Sequence, residues 1–332
     1  MIDEFGLDPH IKVIGVGGGG IDAVGYMIAQ GARGLSFICA DTDAQALSRS
    51  GAPLRIRLGA SGLDGAGADP RVGKAAALQA EEGIRQSIAG AHMLFIIAAM
   101  GGGTGTGAAP VIARLAKAMG ILAVGVVTMP LLTEGARCAQ VAEAGLAELE
   151  ASVGSLIVVP NDRLLEMPGG NATPDHSFAQ ANDALKNVVA GIGAAVDVPC
   201  LVAVDFEDVM LVMSQEGKAM LGMATAAGPD RATKAAELAL ACPLLEGVAL
   251  AGARGVLVLI EASCGTLQLA DIRDAMQAIR RVASESASLI YGTTYDESLG
   301  DQLRVTVIAT GLMSPDQVGS AVSFAGHAKP AG

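Results

Sequence analysis

"AAMGGGTGTGAAP", residues 98–110, packs five glycines and two threonines into the seven positions 101–107. An apolar run, "MLFIIA" (93–98), leads in with the look of a buried strand, and a helical pattern over 107–119 leads out. A loop between those elements presents consecutive backbone N–H groups, and the hydroxyls of Thr104 and Thr106, to an anion at a helix N-terminus.

Toward the N-terminus a second loop has the same layout. In "IKVIGVGGGGID" (11–22) an apolar run enters four glycines, Gly17 to Gly20, and a helical pattern follows. Gly15, Gly17 and Gly20 fit G-x-G-x-x-G, and Asp41 stands about twenty residues on, where a ribose-binding acid belongs in a dinucleotide site. One pyrophosphate does not need two such loops, whereas a triphosphate could use both. A Walker A loop is absent: the nearest stretch, "GADPRVGKA" (67–75), has one residue too many and Ala75 where the hydroxyl should be.

Around these loops the chain alternates. Strands are expected at 11–16, 35–39, 93–98, 121–127 and 156–159, with helices at 20–30, 72–89, 107–119 and 135–151. Strands that are apolar throughout and separated by helices imply a parallel sheet covered on both faces. A long helix follows over 178–196, stopped by Pro199. Strands at 218–227, 255–262, 287–294 and 303–310, with helices at 229–241 and 268–283, make a second α/β unit. Each unit is expected to bury its own core.

Composition sets limits. The 332 residues are 51% hydrophobic with no Trp and nine aromatics in all, so the core is aliphatic. A net charge of −12 argues against nucleic acid as a partner. Five scattered cysteines show no C-x-x-C, which suits a reducing cytoplasm. Four isolated histidines offer no metal-ligand spacing. The uncharged stretch 93–113 is long enough to cross a bilayer, but "GGGTGTG" would break such a helix.

"GGGTGTG" resembles the signature of the tubulin superfamily, and residues 11–312 as a whole resemble its bacterial FtsZ family of cell-division GTPases. The likeness also runs through "TDAQAL" (42–47), "GAGADP" (65–70), "LIVVPNDRLLE" (156–166), "VDFEDV" (204–209), "ARGVLV" (253–258) and "LRVTVIATG" (303–311). It implies a GTP-binding domain over 1–177, a central helix over 178–199, a second α/β domain over 200–312 and a disordered tail over 313–332.

The same resemblance implies roles. Gly18, Gly19, Gly20, Ile21 and Asp22 would wrap the α- and β-phosphates. Gly101, Gly102, Gly103, Thr104, Gly105 and Thr106 would take the β/γ end, and the 65–70 loop, with Ala68 and Asp69, would close over the γ-phosphate. Glu134 would accept from the ribose, Asn161 would sit near sugar and base, Phe178 would stack on guanine and Asn182 would bond its edge. Asp205 and Asp208 are three residues apart. Read alone, they are a helix cap with a second acid at the third position. However, a helix over 178–196 rises about 28 Å, so Asp205 would lie far from its own nucleotide. In the family this loop completes the site of the next subunit and positions the attacking water. The expected partners are therefore further copies stacked head to tail, or a full-length FtsZ, with GTP/GDP and Mg²⁺ bound.

Several positions depart from the family. Asp22, Asp41 and Asp69 stand where asparagines are expected. A carboxylate about 6 Å from a phosphate charge would cost about 2–3 kcal/mol at an effective dielectric near 20. Cys138 replaces an arginine, with Arg137 one helical step away, and Ala203 replaces an asparagine beside the acids while Glu207 adds a carboxylate. Weak, Mg²⁺-dependent binding and slow hydrolysis are expected. No peptide for membrane-tethering partners is visible in 314–332, so no direct membrane contact is expected.

Overall fold

The structure, a computed structural model, describes residues 10–60, 64–165, 174–197, 201–245 and 250–312. The first half alternates as expected: β1 (Ile11–Val16), α1 (Gly17–Ala29), β2 (Ser36–Asp41), α2 (Ala44–Arg49), β3 (Leu54–Arg57), α3 (Pro70–Gln79), α4 (Glu81–Ile88), β4 (Met93–Ala99), α5 (Thr104–Ala118), β5 (Leu122–Met129), α6 (Ala136–Glu150) and β6 (Ser155–Pro160). Then come α7 (Asn161–Leu165), α8 (Pro174–Asp197), α9 (Phe206–Met213), β7 (Lys218–Ala226), α10 (Arg231–Leu240), β8 (Gly255–Ala262), α11 (Leu269–Arg280), β9 (Ser288–Tyr295) and β10 (Leu303–Leu312).

All ten strands form one sheet in the order β3-β2-β1-β4-β5-β6-β7-β10-β8-β9. From β3 to β7 every pairing is parallel; β10 runs antiparallel to β7 and β8, and β8 pairs parallel with β9. The join between the halves is narrow, with only Leu156↔Lys218 and Ile157↔Ala219 in register between β6 and β7. Strand order reverses at β1, which pairs β2 on one side and β4 on the other. A crevice outside the carboxyl ends of strands at such a switch point is where open α/β sheets bind ligands. Both glycine loops follow those two strands.

Each half has a buried cluster of its own, and a third is shared between them. One buried cluster covers α3, α5 and the first sheet face, and another lies under α10 and α11. A third is gathered by α8, whose Ala181, Ala184, Leu185, Val188, Ile192 and Ala195 meet Val13 and Phe95 from the first half and Leu257 and Leu259 from the second. Those α8 positions recur at three- and four-residue steps, so one apolar stripe binds both halves.

Local differences have local causes. The helix expected over 72–89 is two, because Ala80 leaves helical geometry (φ −96°, ψ 12°) and α4 starts afresh on Glu81 and Glu82. Helix α5 begins at Thr104, three residues before the expected start, since its first turn is the glycine loop itself. The unexpected strand β3 is an edge strand, "LRIR", with only Ile56 buried. Helix α2 rests on Asp43, whose carboxylate accepts from the N–H groups of Gln45 and Ala46. The tail 313–332 lies outside the described residues.

Candidate functional site

The two glycine loops lie against one another. A Cβ added at Gly17 would stand 2.9 Å from the Gly105 nitrogen, and Gly17 itself adopts φ +72°. At Gly19 a Cβ would come within 2.6 Å of the Ala99 methyl, and at Gly105 within 2.6 Å of the Ala99 carbonyl. The 65–70 loop joins them: a Cβ on Gly103 would meet that of Ala66 at 2.7 Å and the Asp69 nitrogen at 2.9 Å. Glycine is required in these places because a neighbouring backbone atom or alanine methyl already fills the space a Cβ would take. At Gly18 and Gly102 the reason differs, for nothing lies within 4 Å of a Cβ there. Those two positions face open space beside the first turns of α1 and α5, whose N–H groups lack intrahelical partners.

A cavity of about 210 Å³ opens beside the loops, walled by Gly19, Asp22, Ala98 to Met100, Thr128 to Pro130, Glu134, Asn161, Ala181, Asn182 and Leu185. A second depression along α1, reaching Gly18, Arg49 and Gly51, shares Asp22 and Asn182 with it. Five expected site residues therefore meet on one wall: Gly19, Asp22, Glu134, Asn161 and Asn182. Asn161 is 5% exposed, yet its Oδ1 has no hydrogen-bond partner. A buried acceptor left open on a cavity wall suits a ligand hydroxyl or N–H. Glu134 is partly engaged: its Oε1 accepts from the Leu131 N–H at 2.8 Å. Phe178 falls within α8, and its side chain lies outside the described residues.

Some expected residues serve the loops from within. Thr106 is buried and its Oγ1 accepts from the Gly101 N–H at 2.9 Å, while the Thr104 hydroxyl pairs with that of Thr42 at 2.7 Å. Both hydroxyls are therefore engaged within the protein, and the backbone N–H groups of the loop are left as the candidate donors to an anion. Ile21 packs into the α8 core, and Gly20 is packed against the Ile97 carbonyl. Ala68 is exposed in the left-handed region at φ +58°, the single non-glycine with positive φ among the described residues.

The three acids do not act alike. Asp69 caps α3 and its carboxylate is gripped by Arg71, whose Nη2 stands 2.7 Å away, which pulls its pKa down to about 2. Asp41 is 3% exposed and absent from the cavity wall; burial pushes its pKa up, against the opposing backbone N–H bonds from Asp43 and Thr42. That leaves Asp22 as the one unpaired acid of the three on the wall, so the electrostatic penalty expected from three free carboxylates shrinks to roughly one. A buried Asp41 also cannot reach out to a ribose as the dinucleotide pattern requires. Cys138 touches the Gly101 loop and lies 3.8 Å from Glu134; burial, then the Glu134 charge, push its thiol pKa up. It offers no positive charge in place of the expected arginine.

Sequence reading missed the floor of the cavity. Thr128 and Met129 end β5 at the same sheet edge and Pro130 follows them, and Ala181 and Leu185 line the same cavity from α8. The signal was present in where "VVTMP" ends, since β4 and β5 run parallel in register from Met93↔Leu122 to Ala99↔Thr128.

Asp205 and Asp208 stand elsewhere. Asp205 caps α9, accepting from the Glu207 N–H at 3.1 Å, and Asp208 occupies its first turn. The preceding Val204 N–H donates to the Ala195 carbonyl near the end of α8, thirteen residues beyond Asn182 on the cavity wall. At about 1.5 Å per residue this is roughly 20 Å. A second measure agrees. The Phe206 ring packs on His92, which precedes β4, whereas the glycine loop follows β4 a strand length of about 20 Å away.

Comparison with known proteins fits this geometry. The Tubulin/FtsZ family, GTPase domain, matches residues 10–169, and the FtsZ family, C-terminal domain, matches residues 217–313. Cell division protein FtsZ of Coxiella burnetii is 48% identical over 308 residues, 92% of this chain and 79% of that relative.

The chain belongs to the FtsZ family.

Its counterpart in Pseudomonas putida is likewise 48% identical, over 94% of this chain and 79% of the relative. An empty FtsZ dimer from M. jannaschii superposes with a TM-score of 0.87 at 35% identity, covering 91% of this chain and 88% of that one. The GTPγS-bound CetZ2 protofilament of Haloferax volcanii, at 20% identity and a TM-score of 0.75, shares the fold. The chain is thus a tubulin-superfamily GTPase, a GTP-hydrolysing enzyme of a polymer-forming family, and the dinucleotide reading falls. Among the described residues no helix is long and apolar enough to cross a membrane.

Proposed function

We propose that this protein is a filament subunit of bacterial cell division that stacks head to tail and hydrolyses GTP at the junction between two copies. The observation that supports this most is the separation of about 20 Å between the cavity and Asp205. A carboxylate that far away cannot touch the nucleotide of its own chain. A heterologous contact, repeated without closing, brings it to the next copy's nucleotide and yields a filament.

In this reading the N–H groups of the first turns of α1 and α5 hold the phosphates. Asn161 and Asn182 receive the sugar and base, and Glu134 takes a ribose hydroxyl. Mg²⁺ would be held mainly through the phosphates, with Asp22 the unpaired carboxylate on the cavity wall, and would supply charge neutralisation. From the opposite pole, Asp205 and Asp208 orient the attacking water and accept its proton. Positioning and charge stabilisation account for most of phosphoryl-transfer catalysis. With Cys138 and Ala203 as they stand, turnover is slow, and the protein can also co-assemble with a second FtsZ.

The test is phosphate release and pelleting measured in the same tubes. Asp205→Ala should still pellet with GTP, while its phosphate release falls at least tenfold and that of the wild type rises with protein concentration. Hydrolysis by Asp205→Ala at the full rate refutes the shared site.

A further inference from the structure

At the pole that carries Asp205, two histidines form an arrangement that neither the nucleotide site nor the core explains. His10 and His92 immediately precede β1 and β4, the strands whose far ends bear the two glycine loops. Their backbones interlock: the His92 N–H donates to the His10 carbonyl at 2.9 Å, and the His10 N–H donates to Nδ1 of His92 at 3.1 Å. The Leu122 N–H, at the head of β5, donates to the His92 carbonyl at 3.1 Å. The rings stack with centroids 6.1 Å apart and planes 10° from parallel. The His92 ring also meets the Phe206 ring edge to face, at 6.0 Å and 69°.

Both histidines are exposed, so their placement does not follow from burial. An Nδ1 that accepts a backbone N–H leaves the proton of the neutral ring on Nε2 and fixes the ring's orientation. His92 is therefore held by two ring contacts, at Nδ1 and at its backbone. What it holds in turn is the first residue of α9. The body of that helix is seated in the α8 core by Val209, Val212 and Met213, and Phe206 packs at the edge of the same core with the His92 ring on it, while Asp205 and Asp208 lie in the turn next to Phe206. An edge-to-face aromatic pair contributes beyond simple area burial, and a small misplacement of a catalytic group is costly in rate.

We propose that His92, backed by His10, is a positioning residue for hydrolysis on the neighbouring copy: its ring seats Phe206 and so sets how Asp205 and Asp208 are presented. This rests on the shared-site reading above. His92 touches neither substrate nor its own nucleotide cavity, so its loss should leave GTP affinity unchanged and act on turnover.

Two replacements separate ring from hydrogen bond. His92→Phe keeps a ring against Phe206 and loses the Nδ1 acceptor; His92→Gln keeps an acceptor and loses the ring. Phosphate release per pelleted subunit, GTP affinity and the pelleted fraction are measured for both, beside Asp205→Ala. We expect His92→Phe to turn over within about twofold of wild type and His92→Gln to fall about fivefold. GTP affinity should stay within about twofold throughout, and mixing His92→Gln with wild type should lower turnover in proportion to its share. Wild-type turnover by His92→Gln, or equal losses in both variants, while Asp205→Ala is inactive, overturns the role of His92 alone. Full activity of Asp205→Ala overturns the shared site instead.

Discussion

Replacing Gly18 with alanine puts one methyl group into open space, because nothing lies within 4 Å of a Cβ built there. Gly18 is the second residue of α1 and does not occupy the left-handed region, so the apo protein has no reason to object. Alanine in place of helical glycine is neutral or gains up to about 1 kcal/mol. Bound nucleotide changes the balance. A phosphate oxygen accepting from the free N–H groups of this turn would be displaced by the methyl, and losing one hydrogen bond to a charged group costs about 1.5–3 kcal/mol. At 1.4 kcal/mol per factor of ten, GTP affinity should fall about ten- to 150-fold. Gly17→Ala is the contrasting change: at φ +72° it costs about 1–2 kcal/mol in backbone strain. Its methyl also meets the Gly105 nitrogen at 2.9 Å and prises the two loops apart. Thermal unfolding without nucleotide, followed by GTP titration, should show Gly18→Ala with an unchanged or slightly raised Tm and weakened binding, and Gly17→Ala with both Tm and affinity reduced. Wild-type affinity in Gly18→Ala would mean that phosphates do not sit over the start of α1.

Three further outcomes follow from groups already placed. Burial raises the Asp41 pKa, so the stability it contributes is full below the ordinary carboxylate range and is lost as pH rises through the raised value. Asp41→Asn should therefore unfold at the wild-type temperature in acid and at a higher one near neutrality; a constant difference across pH would disprove this. Tyr26 donates to Asp183 at 2.7 Å, and that hydrogen bond, then burial, push its pKa up to about 12. Its contribution, at most about 1 kcal/mol in a pair partly open to solvent, is present below about pH 10 and is lost as the pH rises through about 12. The gap in denaturant midpoint between wild type and Tyr26→Phe should close over that interval. Ala68 sits at φ +58°, and Ala68→Gly should stabilise the apo protein by about 0.5–1 kcal/mol in chemical denaturation, the strain relief exceeding the added chain entropy.

The parallel sheet and its glycine loops were legible because strands buried on both faces are apolar throughout and because backbone contact permits only glycine. Edge strand β3 was not, since "LRIR" exposes three of its four side chains and reads as a loop. The two histidines before β1 and β4 read as isolated because they are 82 residues apart, and only parallel pairing of β1 with β4 brings them together. Asp69 and Asp41 looked alike in sequence; Arg71 neutralises the first and burial withdraws the second. Sequence gives a side chain's chemistry, while its charge state depends on what folding places beside it.

A cavity and its carboxylates at opposite ends of a subunit have a consequence for small assemblies. On the proposed shared site, a lone copy would not cleave the nucleotide it holds, and in any open stack the last copy with an uncovered pocket would not either. The proportion of copies able to turn over would then climb with stack length, and the tip would remain the freshest part.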